Sequence, residues 1–301
     1  MSRALGALLA LLLALPIPAV AQERGTLGFG RLFSNDAIGD RKDRWHTGSY
    51  VVSMIRGPGW DGRLPTNAGA LLEYRLRADI IAPANVSNPA PGDRRYAGTL
   101  SIGAHTHFDW RGFETRLGFD LVGTGPSTGI GRFQRWVHQI LDLDKPALGN
   151  QISNGLHPTI SGEVGRSFAV GSAVLRPFVE AQAGAETLLR AGADLTVGRF
   201  GAGSLMVRDV VTGQRYSTIA GADDPGLSVV VGGDVARVFD SVYLPSGEAP
   251  ALRDTRSRLR AGLHWQGQRT SLFYGVTWLG EEFEGQGDSQ VLGSLRLGLR
   301  F

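Results

Sequence analysis

Gln290-Val291-Leu292-Gly293-Ser294-Leu295-Arg296-Leu297-Gly298-Leu299-Arg300-Phe301 is the stretch whose alternation decides the fold. Val291, Leu295, Leu297, Leu299 and Phe301 fall on odd positions, while Ser294, Arg296, Gly298 and Arg300 fall on even ones; Leu292 alone breaks the pattern. Successive side chains of an extended strand point to opposite faces, so one face here is apolar and the other carries Arg, Ser and Gly. Such a strand suits a barrel wall between lipid and a polar lumen.

The same alternation recurs at 26–33, 47–56, 71–81, 96–108, 113–121, 160–170, 173–184, 191–200, 227–239, 256–266 and 270–279. With the last strand this makes about twelve, the even count of an up-and-down barrel. The expected fold is therefore all-β, a transmembrane antiparallel up-and-down β-barrel, preferred over a soluble sandwich. Glycine, 43 of 301 residues, stands well above the usual share of roughly 7%. Within strands it lets a small barrel curve and leaves room in the lumen, and at turns it supplies positive backbone torsions.

Arg3 precedes an apolar run over 4–17, and Ala19-Val20-Ala21 follows with the small-x-small pattern of a signal-peptide cleavage site. The expected organisation is a signal peptide over 1–21 and one barrel domain over 22–301. No segment approaches the ~20 apolar residues of a membrane-spanning helix. With 0 cysteines the chain holds neither disulfides nor thiolate metal sites. A net charge of +3 with 20% charged residues is too balanced for a nucleic-acid binder, so no nucleic-acid partner is expected.

In an even barrel with both termini in the periplasm, alternate connections face outside. That places loops near 34–46, 82–94, 124–156, 185–190, 239–254 and 280–289 on the exterior. Periplasmic turns should be short, as at Asp109-Trp110-Arg111-Gly112 and Gly171-Ser172. The segment 203–225 breaks this expectation; either it holds a further structured piece or the strand count is off there.

Two outer loops carry candidate chemistry. The first, 35–48, gathers Asn35, Asp36, Asp40, Asp43, His46 and Thr47. Turn propensity accounts for part of this, yet the set also offers the carboxylate and amide oxygens that a hard cation such as calcium prefers. The second opens with Pro126, and Phe133, Trp136, Val137, Ile140 and Leu141 recur at helical spacing. This predicts a short helix in an extracellular loop, with Gln134 and His138 one turn apart on one face. Both loops share a rim, which allows His138 to meet Asp36.

At this point the chain resembles the LpxR-type lipid A 3'-O-deacylases, outer-membrane barrels that remove ester-linked acyl chains with calcium. The resemblance rests on Asn35-Asp36 at the end of the first strand, Asp43-Arg44-Trp45-His46-Thr47-Gly48 at the start of the second, and Gly125-Pro126, Gln134, His138 and Gln151-Ile152 in the long loop. Weaker echoes are 79–83 with Gly92-Asp93-Arg94, and Glu282-Phe283. The final Phe301 is similar to the terminal aromatic by which outer-membrane barrels are recognised for assembly.

The resemblance implies His138 as general base, Asp36 and Asn35 as calcium ligands and catalytic residues, and Thr47 as a further catalytic group. Gln134, with His46 or Ser49 as alternatives to Thr47, would assist substrate or the oxyanion. The ambiguity arises because the family's threonine aligns with His46 or Thr47 according to which flank is held fixed. Where the family carries a Lys-Arg pair this chain reads Ala84-Asn85-Val86-Ser87-Asn88-Pro89, and Arg94 and Arg95 are the nearest substitutes. The implied partner is lipid A of the outer leaflet, met by a monomer with its site facing the exterior.

Two other functions compete. An outer-membrane phospholipase would use a Ser-His-Asn arrangement, but no His-x-Ser pattern is present. A passive pore would need a wide lumen, whereas about twelve strands leave one that side chains can largely fill. His105 and His107 share a strand face and read as lumen or rim residues. His157 reads as structural, and His264 reads with Trp60, Trp110, Trp265 and Trp278 as part of an interfacial aromatic belt.

Overall fold

Residues 24–221 and 225–299 are described by a computed structural model; the expected signal segment 1–21 and Phe301 lie outside the described residues. A strand with one apolar face exposes unpaired backbone groups at its edge, and in a bilayer only closure satisfies them all. Here the ring runs from β1 (Gly25–Asn35) through β2 (Trp45–Gly57), β3 (Leu71–Ala82), β4 (Ala97–Trp110), β5 (Phe113–Thr124) and β6 (Gly155–Gly165), each antiparallel to the one before. After β7 (Phe168–Val170) it passes to β8 (Ala173–Ala183) and β9 (Glu186–Val197). It then takes in β12 (Gly226–Ser241), β13 (Thr255–Gln266), β14 (Thr270–Leu279) and β15 (Gln290–Leu299), which returns to β1.

Short β7 continues the line of β6 along β8, so the wall is a closed antiparallel barrel of twelve strands. Outward residues such as Tyr74, Leu76, Ile102 and Phe119 are exposed and apolar, whereas Glu73, Arg75, Arg77 and Asp79 on the lumenal face of β3 are buried. No helix among the described residues is long and apolar enough to cross a membrane.

The segment around 203–225 is a further structured piece, not a miscounted strand. Its hairpin, β10 (Leu205–Arg208) and β11 (Arg215–Ile219), forms a separate two-stranded sheet that enters the lumen. Val207 and Tyr216 pack there on Leu32, Val51 and Phe273, and Leu205 and Ile219 on Ile55 and Leu71. Gly28 makes this possible: a Cβ on it would stand 2.3 Å from the Thr218 carbonyl oxygen, so β1 and β11 meet backbone to backbone. Leaning on the plug, β1 pairs with β15 only over Phe33, Ser34 and Asn35 among the described residues.

Paired charge fills the remaining lumen. Arg208 on the plug reaches Glu163 at 2.9 Å and Asp194 at 2.8 Å, while Arg258 on β13 donates to the carbonyls of Val210 and Val211 at the hairpin tip. His107 lies 2.8 Å from Glu73 and His105 3.3 Å from Asp120, so both histidines face the lumen. His157 bonds Thr124 at the rim at 3.1 Å. His264 does not join an aromatic belt, because it faces inward and stacks on Phe200 at 4.2 Å. Trp60 leaves the belt too, donating to the Gly203 carbonyl from the connection at 58–70, which is longer than the short turn expected on that side.

Two rims result. One carries the connections 36–44, 83–96, 125–154, 242–254 and 280–289; the other carries tight turns, the connection at 58–70 and the root of the plug. The longest loop, 125–154, lies at the first of these ends with the acidic 36–44 loop, and it carries the helix α1 (Ile130–Ile140).

Candidate active site

A soluble amphipathic helix buries its apolar stripe. Helix α1 does the reverse: Gly131, Gln134 and His138 face the barrel and are buried, while Phe133, Trp136, Ile140 and Leu141 are each more than half exposed. The contact is made against the outside of the wall. Gly98 pairs with Ile80 on the outward face, and a Cβ on Gly98 would stand 2.9 Å from the Ile130 Cβ. Gly131 supplies the matching gap, with the Tyr96 ring and Leu148 within 3.3 Å of where its Cβ would be.

His138 is held from behind. Its Nδ1–H donates to the Asp144 carbonyl at 2.6 Å, which leaves the Nε2 lone pair free to accept. The Gln134 amide lies 3.4 Å from Nε2 and the Asp43 carboxylate 3.8 Å from it. Gln134 Oε1 and the Tyr96 hydroxyl beside this group are buried without a hydrogen-bond partner. Groups in that state are uncommon and point to a position that a ligand or water completes.

The β1–β2 loop supplies the acidic side. Asn35 caps the short turn Asp36–Ile38, accepting the Ala37 N–H at 2.8 Å, and its amide donates to the Thr47 carbonyl at 2.6 Å. Gly48 is needed opposite, since a Cβ there would stand 2.9 Å from the Asn35 amide nitrogen. Asp36, 3% exposed, accepts the Arg44 N–H at 3.1 Å. Burial, then the nearby Asp43 and Asp40, push its carboxyl up to about 8, against the Arg44 and Ala37 N–H groups that favour the charged form. Asp43 is raised too, by burial first, with His138 opposing and Asp144 reinforcing.

Asp36, Asp43, Gln134 and His138 therefore form one group on the outward side of the wall. Thr47 is the bulged residue between His46 and Gly48, and its carbonyl joins that group through Asn35. His46 and Ser49 do not join it. His46 pairs with Ile81 on the lumenal face and its Nε2 lies 3.1 Å from Glu282, while Ser49 sits between Ser34 and Asp79, both lumenal. The bulge at Thr47 is what separates these neighbours, because one extra residue changes which way the following side chains face. Arg94 and Arg95 also lie elsewhere, paired with Glu282 at 2.7 Å and with Glu248.

Tyr96 completes the group and carries no sequence signal; Asp43, which the acidic loop already offered, is the carboxylate that lies nearest His138. Among the described residues no group of three or more His, Cys, Asp or Glu side chains is placed to hold a metal ion. The donor chemistry nevertheless fits calcium, which accepts amide and carbonyl oxygens beside few carboxylates. Asp36, with Asp43, Asn35 or Gln134 oxygens and loop carbonyls, would hold it, and no described cation already neutralises Asp36.

No curated protein sequence matches the chain. Among solved structures, LpxR from Salmonella typhimurium is similar at 18% identity with a TM-score of 0.75, covering 91% of this chain and 100% of that one. The translocator domain of the autotransporter NalP from Neisseria meningitidis is similar at 10% identity and a TM-score of 0.45, covering 98% and 97%. The sequence matches the family described as outer membrane protein LpxR over residues 7–301, so the chain belongs to the LpxR family of outer membrane proteins.

Proposed function

We propose that this protein is a calcium-assisted lipid A deacylase that hydrolyses an ester-linked, 3'-O acyl chain, acting as a monomer with its site at the exterior rim. The observation that carries the reading is where His138 sits: its Nε2 lies 3.8 Å from the Asp43 carboxylate, which in turn stands beside the buried Asp36, on the lipid side of the wall. A substrate that never leaves the bilayer is met there and not in the lumen. The exposed apolar side of α1, with Phe133, Trp136 and Ile140, continues that lipid-facing surface over the site.

His138 takes a proton from water at Nε2, and the Asp144 carbonyl on Nδ1 keeps the ring in the accepting tautomer. The resulting hydroxide adds to the ester carbonyl, and the tetrahedral intermediate expels the sugar oxygen. That oxygen recovers the proton from His138, giving a free fatty acid and a sugar hydroxyl. Calcium, when bound at Asp36, supplies polarisation of the ester carbonyl. Gln134 N–H and Thr47 orient the water or the oxyanion, and Asn35 keeps the Asp36 turn braced against Thr47.

A passive pore fits poorly with a lumen that holds the β10–β11 hairpin and its ion pairs. A serine hydrolase of the phospholipase kind fits poorly with Ser49, which faces the lumen. The test is mass spectrometry of lipid A from cells expressing the wild type or His138→Ala, with calcium supplied or chelated. Loss of one ester-linked acyl chain that depends on both His138 and calcium is expected. Unchanged lipid A beside an assembled barrel would overturn the reading.

A further inference from the structure

The loop that carries Asp43 is held in an unfavourable backbone conformation. Arg41, Asp43 and Trp45 have φ of 62°, 42° and 55°, all in the left-handed region that non-glycine residues avoid. Residues remain there only when their surroundings over-determine them, and such places cluster at functional sites. Most of the surroundings here belong to the far end of the chain.

Gln290, the first residue of β15 and 2% exposed, spends its whole amide on this loop. Its Oε1 accepts the His46 N–H at 3.1 Å, and its Nε2 donates to the His46 carbonyl at 3.1 Å and to the Arg44 carbonyl. The two clamped residues flank Trp45. Next to Gln290, the Val291 carbonyl accepts the Asp40 N–H at 3.0 Å, and the Val291 N–H donates to the Asp40 carboxylate at 3.2 Å. The segment between these anchors presents the Arg44 N–H to Asp36 and the Asp43 carboxylate to His138.

We propose that Gln290 is a positioning residue for the outer-wall site: from inside the strand seam, its side-chain amide fixes the 40–47 loop so that Asp43 faces His138 and the Arg44 N–H reaches Asp36. It touches neither substrate nor metal. The proposal rests on the deacylase reading for its kinetic consequence, though not for its structural one. A buried amide with three backbone partners does for this loop what the hydrogen-bond partners of metal ligands do for those ligands, and loss of such partners typically lowers activity or affinity about 10–100-fold.

The experiment uses the full chain purified in detergent, as wild type, Gln290→Leu and Gln290→Glu. The Glu variant keeps an acceptor for the His46 N–H but loses both donors, and guards against failure of the Leu variant to fold. Ser294→Ala removes the 2.8 Å bond to Ser34 in the same seam without touching the loop, and serves as control. Trypsin cleavage after Arg41, Lys42 and Arg44, located by mass spectrometry, reads the loop directly. Deacylation across a calcium titration reads its effect on the site.

Both Gln290 variants are expected to be cut faster within 41–44, to need more calcium for half-maximal rate, and to lose about 10–100-fold in kcat. The control should match wild type in all three. Wild-type resistance to trypsin in both Gln290 variants would overturn the clamp, and a loosened loop with unchanged calcium dependence and kcat would overturn its positioning role. If wild type itself leaves lipid A intact, the function reading fails, and the trypsin result still decides whether Gln290 holds the loop.

Discussion

Asp36, buried, and Glu282, largely buried, are rim carboxylates of the same barrel end, on opposite faces of the wall, and they differ in company. Burial alone would raise Glu282, yet His46 at 3.1 Å, Arg256 at 3.4 Å and Arg94 at 2.7 Å hold it well below the usual carboxylate range. Asp36 has only the Arg44 and Ala37 N–H groups and two acidic neighbours for company, and it is pushed up to about 8. A carboxylate with all its countercharges supplied is part of the scaffold. One buried beside further carboxylates and lacking a cation stabilises little by itself, and its place is explained by something that binds it.

The comparison breaks if the outer group is dispensable. His138→Ala is expected to lower deacylation about 10²–10⁴-fold, the usual contribution of a general base, while the barrel remains folded by heat-modifiable mobility on gels. Asp36→Ala should do the same through the cation. Glu282→Ala should show the opposite profile, losing about 3–5 kcal/mol of stability as Arg94 and Arg256 are left buried and short of a partner. Denaturant unfolding in detergent checks this, with the kcat of the surviving folded fraction little changed.

A pH titration sharpens the contrast. The Asp36 carboxyl gives up its proton near 3.8 when unfolded and near 8 when folded, so the folded state binds the extra proton between those values. Its contribution to stability is complete below about pH 4 and is lost as pH rises through 8. In chelator, stability should therefore decline over that window; Asp36→Asn should flatten the decline, and calcium should reverse it by binding the carboxylate form. An identical slope in wild type and Asp36→Asn would remove the contrast with Glu282.

The smallest expected effect concerns the plug that makes the lumen a scaffold. Gly28→Ala puts a Cβ 2.3 Å from the Thr218 carbonyl, forcing β1 and β11 apart. It should cost about 1–3 kcal/mol, as overpacking does, and raise ion conductance in planar bilayers without changing deacylation. Unchanged stability and conductance would mean that β11 does not bear on the wall.

Much of this was legible beforehand. Alternation at Val291, Leu295, Leu297 and Leu299 is a local property of an extended chain, so twelve strands, the loop rim and the helix with Gln134 and His138 on one face follow from spacing. What spacing could not carry is which face of the wall a rim residue joins. His46, Thr47, Gly48 and Ser49 are consecutive, and the bulge at Thr47 sends His46 and Ser49 to the lumen while Gly48 meets Asn35 outside. Partners far apart in sequence were hidden for the same reason. Glu282 with His46, Gln290 with Arg44, and the 203–225 hairpin with β1 exist only once the ring closes. The sequence by itself determined that there would be a barrel with an acidic loop and a histidine helix on one rim. Only the tertiary structure decided which carboxylates were neutralised, because countercharge depends on contacts across the closed barrel and leaves no period in the chain.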